Sequence, residues 1–90
     1  MKYYVITSHA LEYKAVVDEL SKNPENELLN TETNFRSIKD FLITMAKIKE
    51  ADKVYVTPRS NKTRTLLEKQ FAEWYGKVLE EWGFENDPVE

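Results

Sequence analysis

The stretch Lys53–Arg64, with the sequence KVYVTPRSNKTR, decides the fold that this chain predicts. Its first part, Lys53–Val56, is a short run of β-branched and aromatic residues that is typical of a buried strand. Pro58 closes the strand, and the polar loop Arg59–Lys62 leads into a helix predicted over Thr63–Trp82. A strand, a polar loop and a helix in succession form the repeating unit of α/β proteins.

The same unit opens the chain. Tyr3–Thr7 is another aromatic and β-branched run, which predicts a strand that is covered on both faces. Ala10–Leu20 is predicted as a helix that stops before Pro24. Its apolar residues, at roughly helical spacing, are Leu11, Ala15, Val16, Val17 and Leu20. The segment Leu28–Thr31 is interpreted as either a short strand or a loop.

Capping residues and apolar stripes predict the remaining helix boundaries. We expect Thr33 or Asn34 to cap a second helix, because such side chains accept hydrogen bonds from helix N-termini. Its stripe is Phe35, Ile38, Phe41, Leu42, Met45 and Ile48. Gly83 is expected to end the third helix. The apolar face of that helix is predicted to be Leu66, Leu67, Phe71, Trp74, Tyr75, Val78, Leu79 and Trp82.

This order of elements predicts an α/β fold. It is a minimal three-layer sandwich, with a short parallel sheet of strand order 2-1-3 and three helices joined by right-handed crossovers. The chain has 90 residues, which is the length of one domain. We expect a single Rossmann-like domain over residues 1–85 and a C-terminal tail over residues 86–90.

Composition excludes several classes of site. The chain has no cysteine and one histidine, so thiolate and multi-histidine metal sites are excluded, and we expect no metal and no cofactor. A net charge of −3 argues against nucleic-acid binding, which requires a basic surface. Two glycines are too few for a Rossmann or phosphate-loop fingerprint. No apolar run is long enough to span a membrane, and we expect a cytoplasmic protein.

The predicted ligand site lies at the carboxyl ends of the strands. Open parallel sheets bind ligands there, at the point where the strand order reverses. The residues expected to bind are Thr7, Ser8, His9, Asn30, Thr57, Arg59, Ser60, Asn61, Lys62 and Arg64. Thr31 and Thr33 follow the second strand at the same edge. The third helix begins there, and helix N-termini favour anions. The alternative is that these residues are ordinary turn and cap residues.

The stretch Asp40–Gly76 resembles the nucleoside 2-deoxyribosyltransferase-like fold, which has small relatives in phage genomes. The resemblance rests on Ile48–Pro58, IKEADKVYVTP, on the polar loop that follows it, and on Thr65–Glu68 before Gly76. It implies a Rossmann-like fold. It also implies that Glu68 occupies the position of the family's catalytic glutamate, which attacks the anomeric carbon of a nucleoside.

The sequence differs from that family at positions where catalysis depends on the family's residues. The family's small Gly-Ala step is replaced by Arg64-Thr65, which removes room for a sugar or phosphate to approach the backbone. The resemblance extends to SLOG-type domains, which bind nucleotide signals without turning them over. The alternative interpretation is that Glu68 forms an i, i+4 ion pair with Arg64 on a solvated helix face.

Three functions therefore remain open. The first is a small domain that binds a nucleotide-like or phosphorylated ligand, without catalysis. The second is a nucleoside N-glycosidase or 2-deoxyribosyltransferase that acts through Glu68, with His9 either as a base or as a capping residue. The third is a phage-type inhibitor that binds a host protein. We also expect a homo-oligomer through the helix Thr63–Trp82, because aromatic residues are enriched at interfaces.

Overall fold

The computed structural model describes residues 1–30 and 37–83. Strands and helices alternate along these residues, and they are β1 Lys2–Ile6, α1 Ala10–Leu20, β2 Glu27–Leu28, α2 Ile38–Glu50, β3 Lys53–Val56, α3 Thr63–Trp74 and β4 Leu79–Glu81. The expectations that lie outside the described residues concern Thr31, Thr33, Asn34, Phe35 and the tail Asn86–Glu90.

The strands form one parallel sheet in the order β2-β1-β3-β4. This confirms the predicted α/β class and extends the predicted order 2-1-3 by a fourth strand beside β3. β1 is a central strand, in which Tyr3 pairs with Leu28 on one side and Tyr4 pairs with Val54 on the other. The second strand, predicted over Leu28–Thr31 as one of two alternatives, is the two-residue β2.

The core lies on both faces of the sheet because successive side chains of a strand point in opposite directions. On one face, Tyr4 and Ile6 pack in a cluster with Ile48 of α2 and Ala72 of α3. On the other face, Tyr3 and Val5 pack in a cluster with Val16 of α1. The sheet is therefore the middle layer, with α1 on one side and α2 and α3 on the other.

The third helix is shorter than the sequence predicts. It ends at Trp74 instead of Trp82, and Leu79–Glu81 form β4 beside β3. Gly76, not Gly83, supplies the stop, because its backbone has φ +70°, in the left-handed region that glycine enters without a steric cost.

Two hydrogen bonds define this helix end as a Schellman motif. The Lys77 amide donates to the Ala72 carbonyl at 2.8 Å, and the Gly76 amide donates to the Glu73 carbonyl at 3.0 Å. The side chains of Val78 and Trp82 therefore do not continue the helix. Trp82 lies against the sheet instead, with its ring 5.4 Å from the ring of Tyr55 in an edge-on arrangement.

The predicted apolar faces of the helices are partly wrong, because several of their residues face the solvent instead of the core. Leu11 on α1, Ile38 and Leu42 on α2, and Leu66 and Trp74 on α3 are all exposed. The buried positions of α3 are Thr65, Glu68 and Ala72. Polar residues replace apolar ones on this buried face because their polar groups find hydrogen-bond partners within the protein, as described below.

Ser37 begins α2, in place of the cap predicted at Thr33 or Asn34. Its hydroxyl accepts a hydrogen bond from the Asp40 amide at 3.3 Å. Among the described residues, no helix combines the length and the apolar character that a membrane span requires.

Candidate functional site

The strand order reverses between β1 and β3. From β1 the chain passes into α1 on one face of the sheet, and from β3 it passes into α3 on the opposite face. The β1–α1 loop, Thr7–His9, and the β3–α3 loop, Thr57–Lys62, therefore meet at the carboxyl edge, where ligands bind in open parallel sheets. The structure brings these predicted loops together.

The Arg59 carbonyl joins the two loops. It accepts hydrogen bonds from the Ser8 amide at 2.8 Å and from the Ser8 hydroxyl at 2.7 Å. Beside it, the Thr57 hydroxyl donates to the Thr7 hydroxyl at 2.6 Å. These hydroxyls are thus engaged within the protein, and they hold the β3–α3 loop against β1.

Glu12, on the first turn of α1, holds the other side of Arg59. Its carboxylate accepts a hydrogen bond from the Arg59 amide at 3.0 Å, and the Arg59 Nε atom lies 3.6 Å from its second oxygen. Glu12 is only 3% exposed. Glu12 was not among the predicted site residues, although its i, i+4 spacing to Val16 places it on the buried face of α1.

The polar groups of Ser60 and Asn30 also form hydrogen bonds within the protein. The Ser60 hydroxyl donates to the Thr57 carbonyl, and the Ser60 carbonyl accepts from Lys69 Nζ, both at 2.8 Å. The Asn30 side chain accepts from the Val5 amide and donates to the Val5 carbonyl, each at 2.8 Å. Asn30 therefore extends the pairing of β2 with β1 by means of its side chain.

His9 is the N-cap residue of α1, but its side chain makes no capping hydrogen bond. Its amide donates to the Thr7 hydroxyl at 3.2 Å. The Nδ1 atom of the imidazole is buried and has no hydrogen-bond partner within the described part of the chain. His9 thus brings a nitrogen with unused hydrogen-bonding capacity to the carboxyl edge.

The start of α3, which we call the α3 entrance and which comprises Asn61–Thr65, is basic. Lys62 is the N-cap residue and provides no side-chain cap, and the first turn contains no acidic residue. Arg64 lies in that turn, and Asn61, Lys62 and Arg64 are all exposed. The Thr65 hydroxyl donates to the Lys62 carbonyl at 2.8 Å.

Glu68 lies one helical turn beyond Arg64, where it is 3% exposed. The Tyr4 phenol donates to Glu68 Oε2 at 2.5 Å, and Arg64 Nε lies 3.6 Å from Oε1. Burial raises the pKa of the Glu68 carboxyl above its usual range, while the Tyr4 hydrogen bond and the Arg64 charge act in the opposite direction. The ion pair expected between Arg64 and Glu68 is present, but its acid is buried instead of solvated.

Tyr4 lies between Glu68, to which it donates a hydrogen bond, and Thr44 of α2. Burial and the adjacent Glu68 charge raise the pKa of the Tyr4 phenol, so that it remains a hydrogen-bond donor. The Thr44 hydroxyl on α2 is buried and lies close enough to Tyr4 to oppose that shift in pKa. It has no partner with hydrogen-bond geometry among the described residues.

A pocket of about 320 Å³ lies at the opposite, amino-terminal edge of the sheet, where its lining includes Asp52, Gly76 and Val78. Both cations that line it have partners within the protein. Lys77 Nζ donates to the Ala51 carbonyl at 2.7 Å, and Lys53 Nζ pairs with Glu80 at 2.9 Å. Within residues 1–30 and 37–83, no group of three histidine or acidic side chains is arranged to hold a metal ion.

The chain matches no protein-family model, no curated protein and no solved structure, so its resemblance to the nucleoside 2-deoxyribosyltransferase-like fold rests on the sequence stretches quoted above.

Proposed function

We propose that this protein binds a small nucleotide-like or phosphorylated ligand, whose anionic group docks at the α3 entrance. One observation carries the proposal, namely that α3 begins with two cations, Lys62 and Arg64, and with neither an acidic residue in its first turn nor a side-chain cap. Helices ordinarily begin with the reverse arrangement, in which acceptors and acids face the free amides.

The charge at the α3 entrance has an energetic consequence. The helix macrodipole places partial positive charge at the N-terminus, where a cation is disfavoured by about 0.3–1 kcal/mol. A bound anion reverses this term, because it interacts favourably with the dipole, with the N-terminal amides of α3 and with both cations. The α3 entrance is thus poorly stabilised without an anion, which supports an anion as its ligand.

The neighbouring β1–α1 loop supports a ligand larger than a bare anion. It lies across the strand-order reversal from the α3 entrance, and it carries the imidazole nitrogen of His9 that has no hydrogen-bond partner among the described residues. A ribose hydroxyl would donate to such a nitrogen if the imidazole turned towards it. A phosphorylated sugar or a nucleotide carries both an anionic group and ribose hydroxyls, and this is the ligand class that we propose.

The surroundings of Glu68 favour binding over catalysis. A nucleophilic carboxylate must be ionised and must reach the anomeric carbon of its substrate. Glu68 is 3% exposed, its oxygens face Tyr4 and Arg64, and burial raises its pKa. Each of these features disfavours the attack that a deoxyribosyltransferase requires, so we place Glu68 beneath the binding site instead of in a reaction.

Isothermal titration calorimetry with ADP-ribose, AMP and inorganic phosphate tests the proposal. We expect binding of at least one of these ligands, and we expect it to weaken about tenfold or more in the double variant Lys62→Gln, Arg64→Gln. The matched control is Lys14→Gln, Lys22→Gln, which removes the same charge from exposed residues on or just beyond α1. An equal loss of affinity in both double variants would contradict the site, and no binding by the folded wild-type protein would contradict the function.

A further inference from the structure

Arg64 connects the solvent to a buried acid. Its side chain is 44% exposed, whereas the Glu68 side chain that it faces is 4% exposed. The two residues are an i, i+4 pair on α3. The guanidinium therefore lies at the α3 entrance, while the carboxylate lies one helical turn further along α3 and is buried. The same cation is therefore within reach both of an external anion and of Glu68.

The groups that act on Glu68 are few. Among the described residues the ionisable groups are Tyr4, from β1, and Arg64, from α3 itself. The third packed element, α2, brings only the uncharged hydroxyl of Thr44 close to Tyr4. Tyr4 donates a single hydrogen bond, to Oε2, so Arg64 is the only positive charge among the described residues that compensates the Glu68 carboxylate.

A carboxylate in this position cannot lose its cation without a consequence. An uncompensated charge inside a protein is costly, and a buried acid responds by taking a proton from solvent. If an anion draws the guanidinium outward, Oε1 loses its partner and gains a proton, while Tyr4 continues to donate to Oε2. The protein interior then remains neutral, and the guanidinium interacts with the ligand in place of Glu68.

We propose that Glu68 is a positioning residue that competes with the ligand for Arg64, so that binding of an anion at the α3 entrance is coupled to the uptake of a solvent proton by Glu68. This inference rests on the proposed function, because it needs a ligand at the α3 entrance. By linkage, the affinity for the anion rises as the pH falls, by up to tenfold per pH unit when one full proton is taken up.

Calorimetry of ADP-ribose and of sulfate, whose charges do not titrate near neutrality, measures this coupling. Each titration is repeated in buffers of different ionisation enthalpy, from about pH 5 to about pH 8, because the buffer dependence of the heat gives the number of protons taken up. We expect proton uptake on binding to wild-type protein and to the control Glu73→Gln, which alters an exposed acid on the same helix. In Glu68→Gln we expect binding without proton uptake.

The outcomes separate the two proposals. If neither these probes nor AMP and inorganic phosphate bind to the folded wild-type protein, the proposed function fails, and the coupling fails with it. If a probe binds without proton uptake, or with the same uptake in Glu68→Gln, only the coupling is overturned. Should Glu68→Gln not fold, Tyr4→Phe provides the second test. It removes the other donor to the carboxylate, so proton uptake must shift to higher pH, and an unshifted profile would contradict the role of Glu68.

Discussion

The Tyr4 phenol on β1 donates a 2.5 Å hydrogen bond to the Glu68 carboxyl on α3, joining two residues that are 64 positions apart. The contact holds the first strand against the third helix inside the core. It also satisfies one oxygen of an acid that would otherwise oppose folding. Because Arg64 faces the other oxygen from the α3 entrance, the core and the proposed ligand site share one residue.

The buried Glu68 carboxyl predicts a specific dependence of stability on pH. The pKa of Glu68 is raised in the folded protein. Its contribution to the free energy of unfolding is therefore fully present below the ordinary value of 4.5 and is lost as the pH rises through the folded pKa. We expect Glu68→Gln, which cannot ionise, to gain stability relative to the wild type as the pH increases. Urea unfolding of both proteins from about pH 4 to about pH 8 measures the difference. A difference that is constant with pH, or that matches Glu73→Gln, would rule this out.

The end of α3 predicts a large contrast between the two glycines. Gly76 has φ +70°, whereas Gly83 does not, and a Cβ atom at either position would meet no atom within 4 Å. Gly76→Ala should therefore destabilise the protein through the backbone alone, by about 1–2 kcal/mol. Gly83→Ala is the matched control and should be nearly neutral. Urea denaturation compares them, and equal effects would contradict the assigned helix end.

These boundaries also show what the sequence could and could not predict. Continuous β-branched and aromatic runs predicted β1 and β3 because no other element suits such short runs between polar loops. Beyond Gly76, however, Val78, Leu79 and Trp82 fit a helix as well as a strand. The deciding interaction is the pairing of Leu79 with Val54, which lies 25 positions earlier and leaves no local pattern.

The same limit applies to the candidate site. The meeting of the two loops could be predicted, because it follows from the strand order alone. The use of Asn30 on the Val5 backbone and of Glu12 on the Arg59 amide could not be predicted. Each depends on contacts between segments distant in the chain, and a polar residue destined for such a contact looks like any surface residue in the sequence.

The contact between Glu12 and Arg59 predicts a loss of stability. Glu12→Ala removes a buried acceptor and leaves the Arg59 amide without it, at a cost of about 1–3 kcal/mol. The control is Glu19→Ala on the same helix, where the exposed pair with Lys22 is worth about 0–1 kcal/mol. Denaturant midpoints of the two variants check this. Similar midpoints would mean that Glu12 does not hold the β3–α3 loop.

The exposed Trp74 bears on the expectation of a homo-oligomer. Its side chain is 83% exposed on the last turn of α3, and aromatic residues are enriched where proteins associate. We expect light scattering to give a mass above the 10.6 kDa of one chain, and we expect Trp74→Ser to lower it. Leu11→Ser changes another exposed apolar residue, on α1, and should leave the mass unchanged. A wild-type mass of one chain would refute the expectation.

The most direct test of the proposed function is a titration of backbone amide resonances by NMR with ADP-ribose, AMP and inorganic phosphate in turn. We expect the largest shifts at Thr63, Arg64 and Thr65, where the N-terminal amides of α3 lie, with smaller shifts at His9 across the strand-order reversal. The amides of Gly76 and Lys77, at the opposite edge of the sheet, should not move. Largest shifts at that opposite edge, or no shifts in any amide, would contradict the proposed function.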